Sequence, residues 1–365
     1  MILILLTIII LILFNTFLIY LLRIRKRLSK NDNELVKNSL SQVRISIIVA
    51  AKNEAGNIPQ LLRSIEKLDC PSELFEVIIV DDNSSDETFN VCLEAAAKYN
   101  FLKVFRNPDP GIKGKRQALS YGISRASYPF IMITDADCLP EKNWLKCYSI
   151  KFNEGFEFIF GFAPFIQENF FINKISCFEN LRSFILSFSF ANAGLPFTAA
   201  ARNLGFSKSS FEKIDGYSKT FETISGDDDL LIREAVKNKL KIGIVTEEGS
   251  FVYSRTKKSL NDYLSQRSRH TQSSFHYLLR HQIILTIWHS VNLFFLFSPL
   301  LAIFNINFLL ILPLKIIADE IIVKLNQKKI GYKFRWYEIV FLQLSYEIFI
   351  VIHFFDAKFR GIKWK

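Results

Sequence analysis

The two ends of this chain are dense in hydrocarbon side chains, and its middle is not. Residues 1–22 form an almost unbroken apolar run, interrupted only by Thr7, Asn15, Thr16 and Tyr20. A helix rises about 1.5 Å per residue, so this run is long enough for a hydrocarbon core of roughly 30 Å. It lacks the basic leader and small-residue cleavage site of a secretory signal peptide, so an N-terminal transmembrane anchor is expected. Arg23, Arg25, Lys26, Arg27 and Lys30 follow it directly. Such a cluster predicts an N-terminus outside, the next segment in the cytoplasm, and contact with anionic lipid. Residues 23–42 read as a basic and polar linker. Beyond His281 the chain turns apolar again, and 282–365 is expected to be a C-terminal membrane region of two or three apolar segments. Residues 283–304 and 306–323 read as spans joined near Asn305. The third stretch, 336–355, holds Glu338, Glu347 and His353, so it either spans, lies in the interface or re-enters.

Composition agrees with a mixed protein. Half of the residues are hydrophobic (50%) and 22% are charged, with a mean hydropathy of +0.18. This is too apolar for a typical soluble protein and too charged for membrane helices alone. The net charge of +11 is compatible with nucleic acid, anionic lipid or a phosphorylated substrate. The chain has no nucleic-acid-binding motif, and the basic residues sit beside hydrophobic runs; membrane and phosphorylated substrate are therefore the expected partners. The five cysteines are scattered without a paired spacing, which indicates reduced thiols in a cytosolic domain rather than a disulfide or zinc framework.

Between Val43 and Tyr253 the pattern alternates. Apolar strand-like runs at 45–50, 75–80, 102–105, 130–133 and 158–162 are separated, early on, by helical patterns such as 58–68 and 86–99. This predicts an α/β domain over 43–281, Rossmann-like, with a mostly parallel sheet. In such sheets functional residues gather at the carboxyl ends of strands.

Polar clusters stand where those ends are expected. Asp82 lies in the run Asp81-Asp82-Asn83-Ser84-Ser85-Asp86. It can accept hydrogen bonds from a nucleobase or ribose, or it can simply cap the next helix. Asp135-Ala136-Asp137 presents two carboxylates to one hard cation, Mg²⁺ or Mn²⁺, whose shell waters and phosphates complete. Asp227-Asp228-Asp229 offers a general base, or an acidic helix start. Gln266-Arg267-Ser268-Arg269-His270 offers donors for a diphosphate, or a juxtamembrane basic stripe. The Phe-rich stretch 152–190 provides an interfacial ramp for an amphipathic acceptor, or ordinary core.

In this order and spacing the clusters resemble the family 2 glycosyltransferases of GT-A fold, in particular the membrane-bound branch with a D, D, D, (Q/R)xxRW-type signature. The resemblance covers roughly 43–270. It implies that Asp82 contacts the nucleotide base with Ala50 and Glu54 nearby. Lys115, Gln266, Arg267 and Arg269 fall on the nucleotide-sugar side. Asp135 and Asp137 become the metal motif, with Asp135 also facing the diphosphate, and Asn203 falls on the acceptor side. Asp227 aligns with the catalytic base, Asp228 is the alternative if the register slips by one, and Asp229 is left to cap the helix. Two positions depart from the pattern: Gly226 where Glu is usual, and His270 where Trp is usual. The missing Trp points away from a processive polymerase.

The function implied is inverting transfer of a hexose from a nucleotide sugar to a membrane-associated, probable lipid acceptor. It would take place at the cytoplasmic face of the cell membrane by a multi-pass protein of glycolipid or cell-envelope synthesis. The alternatives are a polysaccharide synthase subunit, or a catalytically silent membrane partner that keeps the fold.

Overall fold

The computed structural model describes residues 43–108, 115–223 and 226–359. The expected anchor (1–22) and linker (23–42) lie outside the described residues. The chain divides into two compact units: one built from 43–165 and 196–255, the other from 166–195 and 256–359. Residues 166–195 and 256–281, grouped by sequence with the α/β domain, thus pack with the C-terminal helices.

The first unit is an α/β fold around a seven-stranded sheet. Its strands are β1 (Ile45–Ala51), β2 (Phe75–Asp81), β3 (Leu102–Arg106), β4 (Phe130–Asp135), β6 (Phe158–Gly161), β7 (Leu204–Ser207) and β8 (Ile242–Val245), in the order β3-β2-β1-β4-β7-β6-β8. A separate ribbon pairs β5 (Leu139–Pro140) with β9 (Val252–Tyr253). Helices α1 (Ile58–Ile65), α2 (Thr88–Lys98), α3 (Lys115–Arg125) and α4 (Trp144–Asn153) follow strands in alternation. The β2 residues are all buried, as expected of a strand covered on both faces. In α1, buried Ile58, Leu61, Leu62 and Ile65 repeat at helical spacing, and Pro59 fits the first turn, where no backbone donor is lost.

The first four strands in the sheet order run parallel, in register. The chain builds outward from β1 to β3, then returns to the other side of β1 to lay down β4. The order therefore reverses between β1 and β4, where open α/β sheets bind ligands. Register makes the reversal point concrete: Ala50 pairs with Asp135, Ala51 with Asp81, and Asp81 with Arg106. Strand β7 breaks the parallel pattern by running antiparallel to both β4 and β6.

The second unit is helical: α5 (Phe171–Asn192), α8 (Leu260–Ser274), α9 (Leu279–Phe297), α10 (Ile311–Gln327) and α11 (Trp336–Phe359). Two short helices of the first unit, α6 (Lys208–Lys213) and α7 (Asp229–Lys237), complete the described set. The helical unit buries several charged side chains within its apolar interior and exposes many large apolar ones. Leu300, Ile303, Phe304 and Phe359 are 68%, 83%, 78% and 77% exposed, whereas Glu179, Arg182, Asp319 and Glu347 are buried. The buried charges are matched: Arg182 pairs with Asp319 at 3.3 Å, Lys315 also reaches Asp319, and Arg267 pairs with Glu179 at 2.6 Å. Segments Leu279–Ile303 and Trp336–Phe359 are long and apolar enough to cross a membrane. The expected span 306–323 instead opens with a short 3₁₀ turn and continues as a 17-residue helix bearing Lys315, Asp319 and Glu320. Most of the Phe-rich stretch is core: Phe178, Phe184 and Phe188 are buried, and Phe171 is half exposed.

Candidate active site

The site begins where β1 and β2 end, in two loops stitched to each other. Asn53, in the left-handed region at φ 57°, accepts a hydrogen bond from the Ser85 amide at 2.8 Å and donates its own amide to Ser84 Oγ at 3.0 Å. The amide of Glu54 donates to Thr88 Oγ1 at 2.7 Å. Asp86, not Asp82, serves the start of α2: its Oδ1 accepts the Thr88 amide at 3.0 Å. Asp82 is left facing the strand ends. It is buried, its Oδ1 accepts from Asn107 Nδ2 at 2.8 Å, and Lys52 Nζ lies 3.7 Å from its Oδ2. Ala50, level with Asp135 across β1 and β4, closes this end.

The next group joins three distant parts of the chain. Lys115 opens α3, Asp135 ends β4, and Asp227 stands just before α7. The Lys115 ammonium lies 2.5 Å from Asp135 Oδ1 and 3.2 Å from Asp227 Oδ2. Burial works against the charge on Lys115, but Asp135 and Asp227 outweigh it and hold the group well above its ordinary value. Burial likewise opposes ionisation of Asp227, and Lys115 with Arg116 reverses this, holding the carboxyl below its ordinary 3.8. Asp227 Oδ2 thus faces the Lys115 ammonium, which keeps the carboxyl in the ionised form that can take up a proton.

Asp135, Asp137 and Cys138 bring ligand-capable atoms within 4.8 Å of one another. Asp135 is partly exposed and Asp137 exposed, whereas Cys138 is buried. Burial and the two neighbouring carboxylates push the Cys138 thiol well above its usual range, leaving it a neutral, poor ligand. The usable donors are carboxylate oxygens, which suit Mg²⁺ or Mn²⁺.

The acidic triplet divides its work. Gly226, at φ 89°, takes a backbone conformation that the more usual Glu adopts only with strain. Asp228 caps α7: its Oδ1 accepts the Asp229 amide and its Oδ2 the Ala201 amide, both at 2.8 Å. The cap expected at Asp229 is therefore one residue earlier, and Asp229 instead accepts from Thr198 Oγ1 at 2.5 Å. Burial, with Asp229 and Asp227 alongside, raises Asp228 well above the ordinary range. Of the two expected candidates for the base, Asp227 lies against the Lys115 ammonium and Asp228 has both oxygens engaged by backbone amides.

Asn203 requires a correction. It is fully buried, and its amide is consumed by the protein. Oδ1 accepts from Trp144 Nε1 and Tyr148 Oη at 2.8 and 2.7 Å, while Nδ2 donates to the carbonyls of Phe162 and Ser250 at 2.8 and 3.3 Å. No atom of this side chain is left for an acceptor. The packing is tight enough that a Cβ on Gly161 would lie 2.6 Å from Asn203 Nδ2. Asn203 is a tie between α4, β6 and the turn before β7.

Residues 46–215 match the model of glycosyl transferase family 2. The chain carries a glycosyltransferase family 2 domain. A probable glycosyltransferase, YdaM of Bacillus subtilis, is 38% identical over 100 residues, covering 27% of this chain and 24% of that protein. A beta-monoglucosyldiacylglycerol synthase of Trichormus variabilis is 41% identical over 93 residues, covering 26% of this chain and 20% of that protein. The matches thus span less than a quarter of these relatives. The solved mannosyltransferase PcManGT of Pyrobaculum calidifontis, in complex with GDP-Man and Mn²⁺, superposes with a TM-score of 0.55 at 15% identity. That match covers 94% of this chain and 99% of that one, and it establishes the GT-A fold.

Outside the sheet, Gln266, Arg267 and Arg269 lie on α8 in the helical unit. The Arg267 guanidinium is taken up by Glu179, and Arg269 is half-buried. Four residues of the glycosyltransferase domain escaped notice in the sequence. Asn107 follows β3 directly, so the strand-end rule that found Asp82 could have found it. Arg116 donates to the Thr223 carbonyl at 2.9 Å and helps hold Asp227 ionised. Tyr217 is buried, and burial together with Asp227 keeps its phenol protonated. Arg202 lies beside Asn203. The last three carry no motif and are placed by tertiary packing.

If Asn203 is a tie, Asn203→Ala should lower stability by on the order of 3 kcal/mol, because buried donors and acceptors lose partners together. A thermal melt of the purified protein reads this as a lowered Tm. An unchanged Tm with weakened acceptor binding would return Asn203 to the acceptor site.

Proposed function

We propose that this protein transfers a sugar from a nucleotide-activated donor to a membrane-associated lipid acceptor, with inversion at the anomeric carbon. The observation that carries the reading is the Lys115 ammonium within ion-pair distance of both Asp135 of the cation motif and the carboxylate of Asp227. One cationic group thereby links the place for a diphosphate to the place for a base, at the point where the sheet order reverses.

The residues divide the chemistry as follows. Asp82, beside Ala50, Glu54 and Asn107, holds the nucleoside. Asp135 and Asp137 would hold Mg²⁺ or Mn²⁺, which when bound offsets charge on the leaving diphosphate. Lys115 adds a fixed positive charge there. Asp227 accepts the proton of the acceptor hydroxyl as that oxygen attacks the anomeric carbon and the diphosphate departs. One base is sufficient, since a single displacement forms no covalent glycosyl-enzyme. Asp228 holds the start of α7, and so the position of Asp227. Gln266, Arg267 and Arg269 contribute cationic or polar contacts to the donor side only if Arg267 is released from Glu179.

A lipid acceptor and a membrane location are supported by the helical unit, whose apolar side chains face out and whose charges face in, the arrangement a bilayer favours. A reading as glycolipid synthase also accords with His270 in place of Trp. A cytoplasmic catalytic domain is supported by the basic residues that flank it in the sequence.

Five measurements test the proposal. Asp137→Ala should abolish transfer and remove the Mn²⁺ dependence of donor binding; full activity of this variant in EDTA would sink the cation assignment. Asp227→Asn should reduce turnover by roughly 10²–10⁴ with little change in donor affinity. Because Asp227 is held below 3.8, the acid limb of kcat/KM should lie below that pH. Asp228→Asn should act mainly through the helix start, costing on the order of 1 kcal/mol. An inactive Asp228→Asn beside an active Asp227→Asn would exchange their roles. Finally, a tag at Asn33 should resist an impermeant reagent in intact cells, and labelling there would overturn the topology.

A further inference from the structure

Strand pairing directs an arginine toward the end of the sheet that carries the cation motif. β7 runs antiparallel to β4 with Ile133 opposite Leu204 and Met132 opposite Gly205. The residues just before Leu204, Arg202 among them, therefore lie toward the carboxyl end of β4, where Asp135 stands. Arg202 sits on the 3₁₀ turn Ala201–Asn203, which is fixed on both sides. The Ala201 amide donates to Asp228, and Asn203 is tied into α4 and β6.

The guanidinium is itself held still. Its Nη2 donates to the Ala163 carbonyl at 2.6 Å, and its plane lies over the Phe165 ring at 4.5 Å. Its charge is nevertheless not matched: among the described residues Arg202 forms no ion pair, and its Nε is buried without a hydrogen-bond partner. The buried arginines of the helical unit contrast with this, since Arg182 and Arg267 each have a carboxylate. A fixed, partly buried guanidinium with no ion pair among the described residues, on the turn that leads into β7 at the end of the sheet carrying the cation motif, offers its positive charge and remaining N–H donors to a phosphoryl oxygen.

We infer that Arg202 binds a phosphoryl oxygen at the edge of the metal site, as a specificity-determining contact. This rests on the donor reading above. The phosphoryl group has two possible sources, the donor diphosphate or an anionic acceptor headgroup on the far side of Asp135.

The test uses the full-length protein in detergent. Inorganic diphosphate with Mn²⁺ probes the donor side, and decyl phosphate, added to protein already saturated with Mn²⁺–diphosphate, probes the acceptor side. Both are followed by calorimetry for wild type, Arg202→Gln and Arg202→Lys. Loss of a charge-assisted contact should weaken one probe by about 10- to 100-fold in Arg202→Gln, with partial recovery in Arg202→Lys. A weakened diphosphate assigns the contact to the donor, and a weakened decyl phosphate assigns it to the acceptor. Unchanged binding of both overturns the inference and leaves the donor reading intact. Failure of the wild type to bind Mn²⁺–diphosphate overturns the donor reading and this inference with it. A variant that does not fold is covered by mapping phenylglyoxal modification of the wild type by mass spectrometry. Arg202 should be protected by one of the two probes, and equal modification with and without both would refute the contact.

Discussion

A buried ammonium between two carboxylates is the interaction from which the catalytic geometry follows. Lys115 has little solvent, and its charge survives because Asp135 and Asp227 lie within reach on opposite sides. Neither carboxylate is near it in sequence. The ends of α3 and β4 and the segment before α7 must therefore all arrive together, and the sheet reversal between β1 and β4 brings two of them to one place. The third is delivered by the triplet itself. Asp228 binds the Ala201 amide, so the loop before β7 and the start of α7 cannot shift independently. Removing any one of these ties leaves a buried charge without its counter-charge, a costly state in a low-dielectric site.

The nucleotide half of the site was legible in the sequence because it is local. Each of β1, β2 and β4 is a short apolar run, and the candidate site residues are the polar ones at or just after its end, so period and punctuation sufficed. The second half was not legible in the same way. Strand β7 is only four residues long and contains a glycine, so its periodicity carries no signal, yet its pairing with β4 directs the turn holding Arg202 toward the end of β4 that carries Asp135. Asn203 shows the opposite failure. A motif marked it correctly as important, but its importance is that of four internal hydrogen bonds, which a sequence cannot distinguish from four bonds to a ligand. The acidic triplet shows a third case: three identical side chains in a row differ only in what the fold offers each, namely an ammonium, two backbone amides and a threonine hydroxyl.

The apolar segments near the C-terminus were read by counting hydrophobic residues, and counting gave the helices but not their insides. Lys315, Asp319 and Glu347 look like interruptions in the sequence. In the fold they are buried among the helices, and Arg182 of α5 supplies a counter-charge to Asp319 from far upstream. The stretch 306–323, whose charges fall in this seam, forms a shorter helix than its hydrocarbon content suggested.

That seam has a consequence for biosynthesis. Arg182 and Asp319 are 137 residues apart, and α5 leaves the ribosome long before α10 exists. During that interval α5 carries Glu179 and Arg182 without the partners that neutralise them. An isolated α5 is thus a poor candidate for early partition into lipid, whereas α5 alongside α8, α10 and α11 presents a neutral interior and a greasy exterior. The Arg182–Asp319 pair can form only once α10 has been made, late in synthesis and after the sheet strands on either side of α5 in the chain.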